Sequence, residues 1–355
     1  MQFQRNIVFW LVALAVFIFL LWLLSPILLP FVLGMVIAYL LDPLAKALIN
    51  RGMSRLVAAL LILGGFLLVF TLIVLFIAPI LSRQFAGFIA HGPEYARRIQ
   101  AMVSDPAHPW LKTIIGDNLI GSDKAVSDLT NQAVGYVTTF LGSLWSKGRA
   151  LLSIFTLVII TPVVAFYLLC DWDRMMNTVD QLVPVPQRET VRGLGREIDR
   201  TISGYVRGQS GVCLILGSYY AIGLTIAGLN FGLLIGVVSG LISFIPYVGS
   251  LTALVLSLVV AVAEFFPNWT SILTVAGVVL VGQFLEGNVI SPHLVGHNVG
   301  LHPVWLMFAL FAFAYLFGFV GLLLAVPLAA AAGVLIRFAI GRYRASPFYT
   351  GAQAP

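Results

Sequence analysis

The stretch IVFWLVALAVFIFLLWLL, residues 7–24, holds no charged residue and no helix breaker. A run of about 20 apolar residues is long enough to cross the ~30 Å hydrocarbon core of a bilayer. Comparable runs recur at 26–41, 56–79, 150–170, 209–228 and 271–290, and with internal interruptions at 231–265 and 303–337. They amount to about eight segments of spanning length. Lipid offers no partner to backbone N–H and C=O groups, so such segments must be helices or closed barrels. Barrel strands are short and alternate in polarity, whereas these runs are long and continuously apolar. The expected fold is all-α: a polytopic integral membrane protein with broken or re-entrant helices in its C-terminal half.

Composition agrees. The chain is 60% hydrophobic and 10% charged, against about 25% charged in a soluble domain, and its mean hydropathy is +1.01. The first run is too long for a signal peptide, lacks a small-residue cleavage site and leads directly into a second run, so it is expected to remain as a helix. Cys170 and Cys213 lie in or at the ends of apolar segments, which predicts free thiols rather than a disulfide framework or metal site.

A net charge of +6 raises the question of a nucleic-acid partner, and the distribution argues against one. The cations collect in connectors: Arg5; Lys46, Arg51 and Arg55; Arg174 through Arg207; and Arg337, Arg342 and Arg344. Connectors of this kind face the cytoplasm, which puts both termini inside and 81–148 outside. The expected order is N-terminal membrane helices (1–80), an extracytoplasmic helical loop region (81–148), a membrane helix (149–170), a cytoplasmic amphipathic segment (171–208), a membrane core (209–340) and a cytoplasmic tail (341–355). Within 171–208, Val191, Leu194, Ile198, Ile202 and Tyr205 share one helical face, opposite a four-residue recurrence of Arg188, Arg192, Arg196 and Arg200. That pattern suits a helix on an anionic lipid surface.

From Gly208 to Ile336 there is no Lys or Arg, and the only acids are Glu264 and Glu286. Ionisable groups in membrane segments cost free energy and mark pathways or cavities. Glu286 is thus the first candidate for a solute or ion pathway, with Gln283 and Asn288 beside it as hydrogen-bonding groups and Pro292 as a helix break. Glu264, in VAEFFPNWTS, reads as helix-end chemistry. IPYVG at 245–249 frees backbone groups that are tolerated at membrane depth only against protein or water, so Pro246 and Gly249 join the pathway candidates. GLISFIP (240–246) is echoed by GLLLAVP (321–327), as in transporters built from repeats with broken helices. The echo adds Gly240, Gly321 and Pro327. His293, His297 and His302 are interleaved with Gly296, Gly300 and Pro303, which suits loop capping or proton relay better than a metal site. No cofactor motif is present: GxxxxGK[ST], HExxH and GxSxG are all missing, so neither an ATP-driven pump nor a hydrolase is expected.

Six stretches together resemble the autoinducer-2 exporter-like (AI-2E) family of bacterial transporters. They are LLPFVLGMVIAYLLDPL (28–44), TPVVAFYLLCDW (161–172), GYVRGQ (204–209), GLISFIPYVG (240–249), EGNVISPHLVGHNVGLHP (286–303) and GFVGLLLAVPLAA (318–330). The resemblance implies a homo-oligomer, a pentamer among the options, in the bacterial inner membrane, exporting small polar molecules of which autoinducer-2 is the namesake. It implies lipid and a small polar solute as partners and no nucleic acid. Some relatives are instead Na+(Li+)/H+ antiporters, and a non-transporting membrane scaffold is a third reading. Through GYVRGQ it adds Arg207 and Gln209 as gating or interface residues. Asp171, which with Pro162 brackets a helix in TPVVAFYLLCDWDR, is a further candidate there, although helix-end chemistry at the cytoplasmic face is its ordinary role.

Overall fold

The chain is described here from a computed structural model over residues 16, 19–104, 148–295 and 302–350. Backbone groups in apolar surroundings pair within their own segment, and the apolar runs are accordingly helical. Helix α1 covers Leu28–Ile49 after a 3-10 turn at Ser25–Ile27. Then follow α2 (Arg55–Ser104), α3 (Gly148–Gln181) and, after a 3-10 turn at Val185–Gln187, α4 (Arg188–Ile226). Next are α5 (Gly232–Ile242), α6 (Val248–Phe265) and α7 (Trp269–Leu285). A π-helical turn at Glu286–Ile290 leads into α8 (Ser291–Leu294), and α9 (Pro303–Arg344) and α10 (Pro347–Thr350) close the order.

Among the described residues no strand occurs, and seven helices are long and apolar enough to cross a membrane. Large apolar side chains stand outward, such as Leu75 and Phe76 on α2 and Leu280 and Phe284 on α7. Exposed apolar surface on this scale marks a protein whose surroundings are themselves apolar. The chain is an all-α polytopic membrane protein. Most of the expected 7–24 segment, and 105–147 of the 81–148 region, lie outside the described residues.

One element differs from expectation, and two show the expected interruptions. The 171–208 segment is not a separate surface helix. Its residues 188–208 form the first half of the 39-residue α4, because the glycines of GYVRGQSG weaken a helix without stopping it. Segment 231–265 is two helices, and α5, with 11 residues, rises roughly 16 Å, too short to cross a ~30 Å core. Segment 303–337 breaks at Gly318 (φ 60°, ψ −138°), a backbone state open only to glycine. A Cβ on Gly321 would overlap the Phe313 carbonyl, although residues eight apart along a straight helix are separated by ~12 Å. The chain therefore doubles back at Gly318, giving α9 two legs, 303–317 and 319–344. Pro327 is buried inside the second leg, whereas Pro246 sits in the open turn between α5 and α6. The sequence echo thus does not carry equivalent breaks.

The chain divides into two compact units, 1–65 with 156–208 and 295–355, and 66–155 with 209–294. One boundary falls at residue 208, where the cations end. The expected core 209–340 is divided, its last part belonging with the N-terminal helices. In the first unit α1 packs on α3 through Gly34, where a Cβ would come 2.8 Å from the Val164 Cβ. Arg55 pairs with Asp173, Arg192 pairs with Asp180 at 2.6 Å, and Arg337 reaches Glu197 at 3.4 Å.

The second unit is built on a close approach of backbones. Gly232, Gly236 and Gly240 recur every fourth residue on α5, so they share one face. Side chains on Gly236 and Gly240 would overlap the backbone of Ala221 and Gly217 on α4. Small residues four apart are how helices in lipid achieve van der Waals packing without a hydrophobic drive. The chain enters α5 through Phe231 and α6 through Tyr247, both left-handed (φ 63° and 68°). The Phe231 ring is held among Phe88, His91 and Tyr95 at centroid separations of 5.7–6.5 Å.

Valine at Gly236 forces α4 and α5 apart and is expected to destabilise the protein by at least ~1–3 kcal/mol, read as a lowered Tm of the purified chain in detergent. Alanine at Gly277, whose Cβ meets open space, leaves Tm unchanged or slightly raised.

Candidate transport site

The site of the second unit begins at the break between α5 and α6. Ending α5 at Ile242 leaves carbonyls without intrahelical donors. Gln209, buried on α4, donates through Nε2 to the Ser243 carbonyl at 2.5 Å. A Cβ on Gly249 would overlap Ser243, so glycine there lets α6 start tight against the turn that holds Pro246. Gly240, one turn before Ser243, lies against Gly217. Gln209, Gly240, Pro246 and Gly249 are thus brought together as one structural joint. The Gln209 amide is committed to the backbone.

Helix α7 starts with Asn268 accepting from the Ser271 N–H at 3.4 Å and changes form at Glu286. Pro292 has no N–H for the Asn288 carbonyl, and the helix widens so that the Ser291 N–H bonds to the Glu286 carbonyl. Such π turns concentrate at functional sites. The Asn288 side chain donates to the Phe284 carbonyl at 3.0 Å, and the His293 ring N–H to the Val289 carbonyl at 2.7 Å. Gln283 donates to the Ser250 carbonyl at 3.4 Å, tying α7 to the start of α6. None of these reaches Glu286. Asn288 and Pro292 are exposed, while Glu286 is half-buried.

The Glu286 carboxyl makes no hydrogen bond or ion pair among the described residues. Gly282, one turn earlier on the same face, packs against the Tyr220 ring so closely that a Cβ would overlap it. Tyr220 is fully buried, and its hydroxyl has no hydrogen-bond partner among the described residues. Tyr220 and Cys213, seven residues apart on α4, both lie within electrostatic range of Glu286. An unpaired carboxyl thus lies near an unpaired phenol, where unsatisfied polar groups carry a desolvation cost of about 1–3 kcal/mol each. Tyr220 was not legible as a site residue, since a tyrosine in an apolar run is ordinarily core. The second acid, Glu264, accepts the Asn230 N–H at 3.1 Å at the entry to α5, which is structural work.

In the first unit Arg207 donates to the Tyr39 carbonyl at 2.8 Å and to Asp42 at 3.2 Å. Three of the quoted stretches meet there, through Tyr39 and Asp42, Leu169 and Trp172, and Arg207. Asp171, half-buried, is not part of that network. Gly321 and Pro327 belong to this unit, in the second leg of α9. His302 caps α9 by accepting the Val304 N–H at 3.3 Å. His297 lies outside the described residues, and among those described no cluster of His, Cys, Asp or Glu could hold a metal.

Broken helices beside a half-buried, unpaired carboxyl in a multi-pass α-helical protein fit the general class of membrane transport scaffold. The family model for AI-2E family transporters matches residues 11–341, and the chain belongs to that family; it is a membrane transporter. It is 29% identical over 331 residues to YrrI of Bacillus subtilis, covering 92% of this chain and 88% of that protein. It is 26% identical over 304 residues to YueF of the same organism, covering 85% and 81%. Both carry transport-protein names. PerM of Escherichia coli, which carries a permease name, is 26% identical over 307 residues, covering 86% and 85%.

Leucine at Gln209 strands the Ser243 carbonyl and is expected to cost about 1–3 kcal/mol, read as a drop in Tm. Tyr220→Phe removes a hydroxyl that bonds nothing among the described residues, so Tm is expected to hold or rise; a fall comparable to that of Gln209→Leu means the phenol has a partner.

Proposed function

We propose that this chain is a secondary transporter that exports small polar molecules across the bacterial inner membrane, with autoinducer-2 as the first solute to test. Glu286 is its coupling group, alternating between a protonated state and one paired with a cation or with the solute. One observation carries this reading: in a stretch free of Lys and Arg from Gly208 to Ile336, Glu286 is the acid that no donor satisfies, while Glu264 is spent on a backbone N–H. A carboxyl left unpaired in a membrane segment costs free energy that function must justify. Gln209, Gln283 and Asn288 support the breaks around it rather than the solute. Both termini are read as cytoplasmic from the basic connectors, and the working assembly as a homo-oligomer.

The Na+(Li+)/H+ antiporter reading uses the same carboxyl as its ion ligand and ranks second, because a cation stripped of water needs several oxygen ligands. Gln283 and Asn288, the neighbouring amides, already bond backbone carbonyls.

The test is flux in proteoliposomes under imposed proton and sodium gradients. Wild type is expected to move the organic solute, and Glu286→Gln to lose gradient-driven flux by about tenfold or more, the equivalent of ~1.4 kcal/mol. Unchanged coupled flux in the variant removes Glu286 from the mechanism. Sodium–proton exchange with no organic solute moved favours the antiporter, and no movement under any gradient favours a scaffold.

A further inference from the structure

The first unit contains a cavity of about 300 Å³ between α1, α3 and α4 to which the transport reading assigns no role. Its walls are graded. Met35 and Ala38 on α1 and Leu168 on α3 form an apolar wall, and further along the same helices come Asp42, Lys46 and Trp172. On α4 it is closed by Asp199, Arg200, Ser203 and Arg207. The charged end lies where α1 runs out into the basic connector at Arg51 and Arg55. Trp172 and Tyr39, whose rings meet edge-on at 6.0 Å, are the aromatic types that settle at membrane–water interfaces. An apolar wall leading to a charged mouth fits an amphiphile better than a wholly polar solute.

The charges at the mouth specify the headgroup. Asp42 is satisfied by two cations, Lys46 at 2.9 Å and Arg207 at 3.2 Å. Asp199 accepts only the Tyr39 hydroxyl, at 2.9 Å, and makes no ion pair among the described residues. Arg200, next in sequence and also lining the cavity, makes none either. One carboxylate and one guanidinium are therefore left, each without an opposite charge. Guanidinium forks bind phosphate oxygens, and a carboxylate accepts hydrogen bonds from a primary ammonium. A purely anionic headgroup would meet the uncompensated Asp199 with like charge and leave it without a donor. A trimethylammonium headgroup could not donate to Asp199.

We propose that this cavity is a lipid site selective for a phospholipid whose headgroup joins a primary ammonium to a phosphate, the ammonium on Asp199 and the phosphate on Arg200. The bound lipid ties α1 to α3 and α4 at the membrane face.

Native mass spectrometry of the delipidated full chain in detergent, titrated separately with dioleoyl phosphatidylethanolamine, phosphatidylglycerol and phosphatidylcholine, tests this. The ethanolamine lipid is expected to be retained about tenfold more tightly than the other two. Asp199→Asn and Arg200→Gln should each remove most of that preference, while Arg196→Gln, which does not line the cavity, keeps it. Arg200 is exposed, so its variant reads binding without a folding defect. Equal retention of the three lipids, preference for the glycerol lipid, or unchanged selectivity in both cavity variants overturns the proposal. Displacement of the lipid by millimolar free phosphoethanolamine overturns the assignment to a lipid, since the site would then recognise the soluble headgroup alone.

Discussion

Every interruption of a helix in an apolar medium leaves backbone groups that only the protein can satisfy, and the second unit is organised around meeting that demand. Gln209 serves the Ser243 carbonyl, Asn288 the Phe284 carbonyl and His293 the Val289 carbonyl. Gln84 accepts the Leu234 N–H at the start of α5, and Glu264 accepts the Asn230 N–H just before it. Side chains that look like solute ligands are largely consumed in permitting the breaks. What remains unspent among the described residues is informative: the Glu286 carboxyl and the buried hydroxyls of Tyr220 and Ser239.

The breaks in turn depend on glycine. Helices α4 and α5 approach until a methyl group would not fit between Gly240 and Gly217 or between Gly236 and Ala221. That proximity holds the Gln209 amide against the turn at Ser243. A similar economy places Tyr220, since Gly282 clears the space its ring fills. Packing of small residues thus decides which polar groups meet, and the unpaired carboxyl and phenol near each other are a consequence of it. In the first unit the same logic holds α1 to α3 through Gly34, and the charged ends of those helices converge with α4.

Much of this was legible along the chain. The apolar runs marked the helices, and both 231–265 and 303–337 read as interrupted. Glu286 stood out because no cation lies near it in sequence. The roles of Gln209, Gln283 and Asn288 were less legible, because a hydrogen-bonding side chain does not announce whether its partner is a solute or a carbonyl freed by a distant break. The second interruption was expected around Gly321 and Pro327 and lies at Gly318. A proline in a lipid-facing helix can be accommodated, whereas a glycine is the residue able to take the backbone through φ 60°.

By itself the sequence determined that the chain must live in a bilayer as helices, since uncharged runs of that length have no other stable state. It also determined that the segment from Gly208 to Ile336 would carry its acids without cations of its own. Only the tertiary structure decided which acid is free, because pairing is a matter of distance between elements remote in sequence. Asn230 reaches Glu264 across 34 positions, and Tyr39 reaches Asp199 across 160. Those encounters are set by helix packing, which no local pattern encodes.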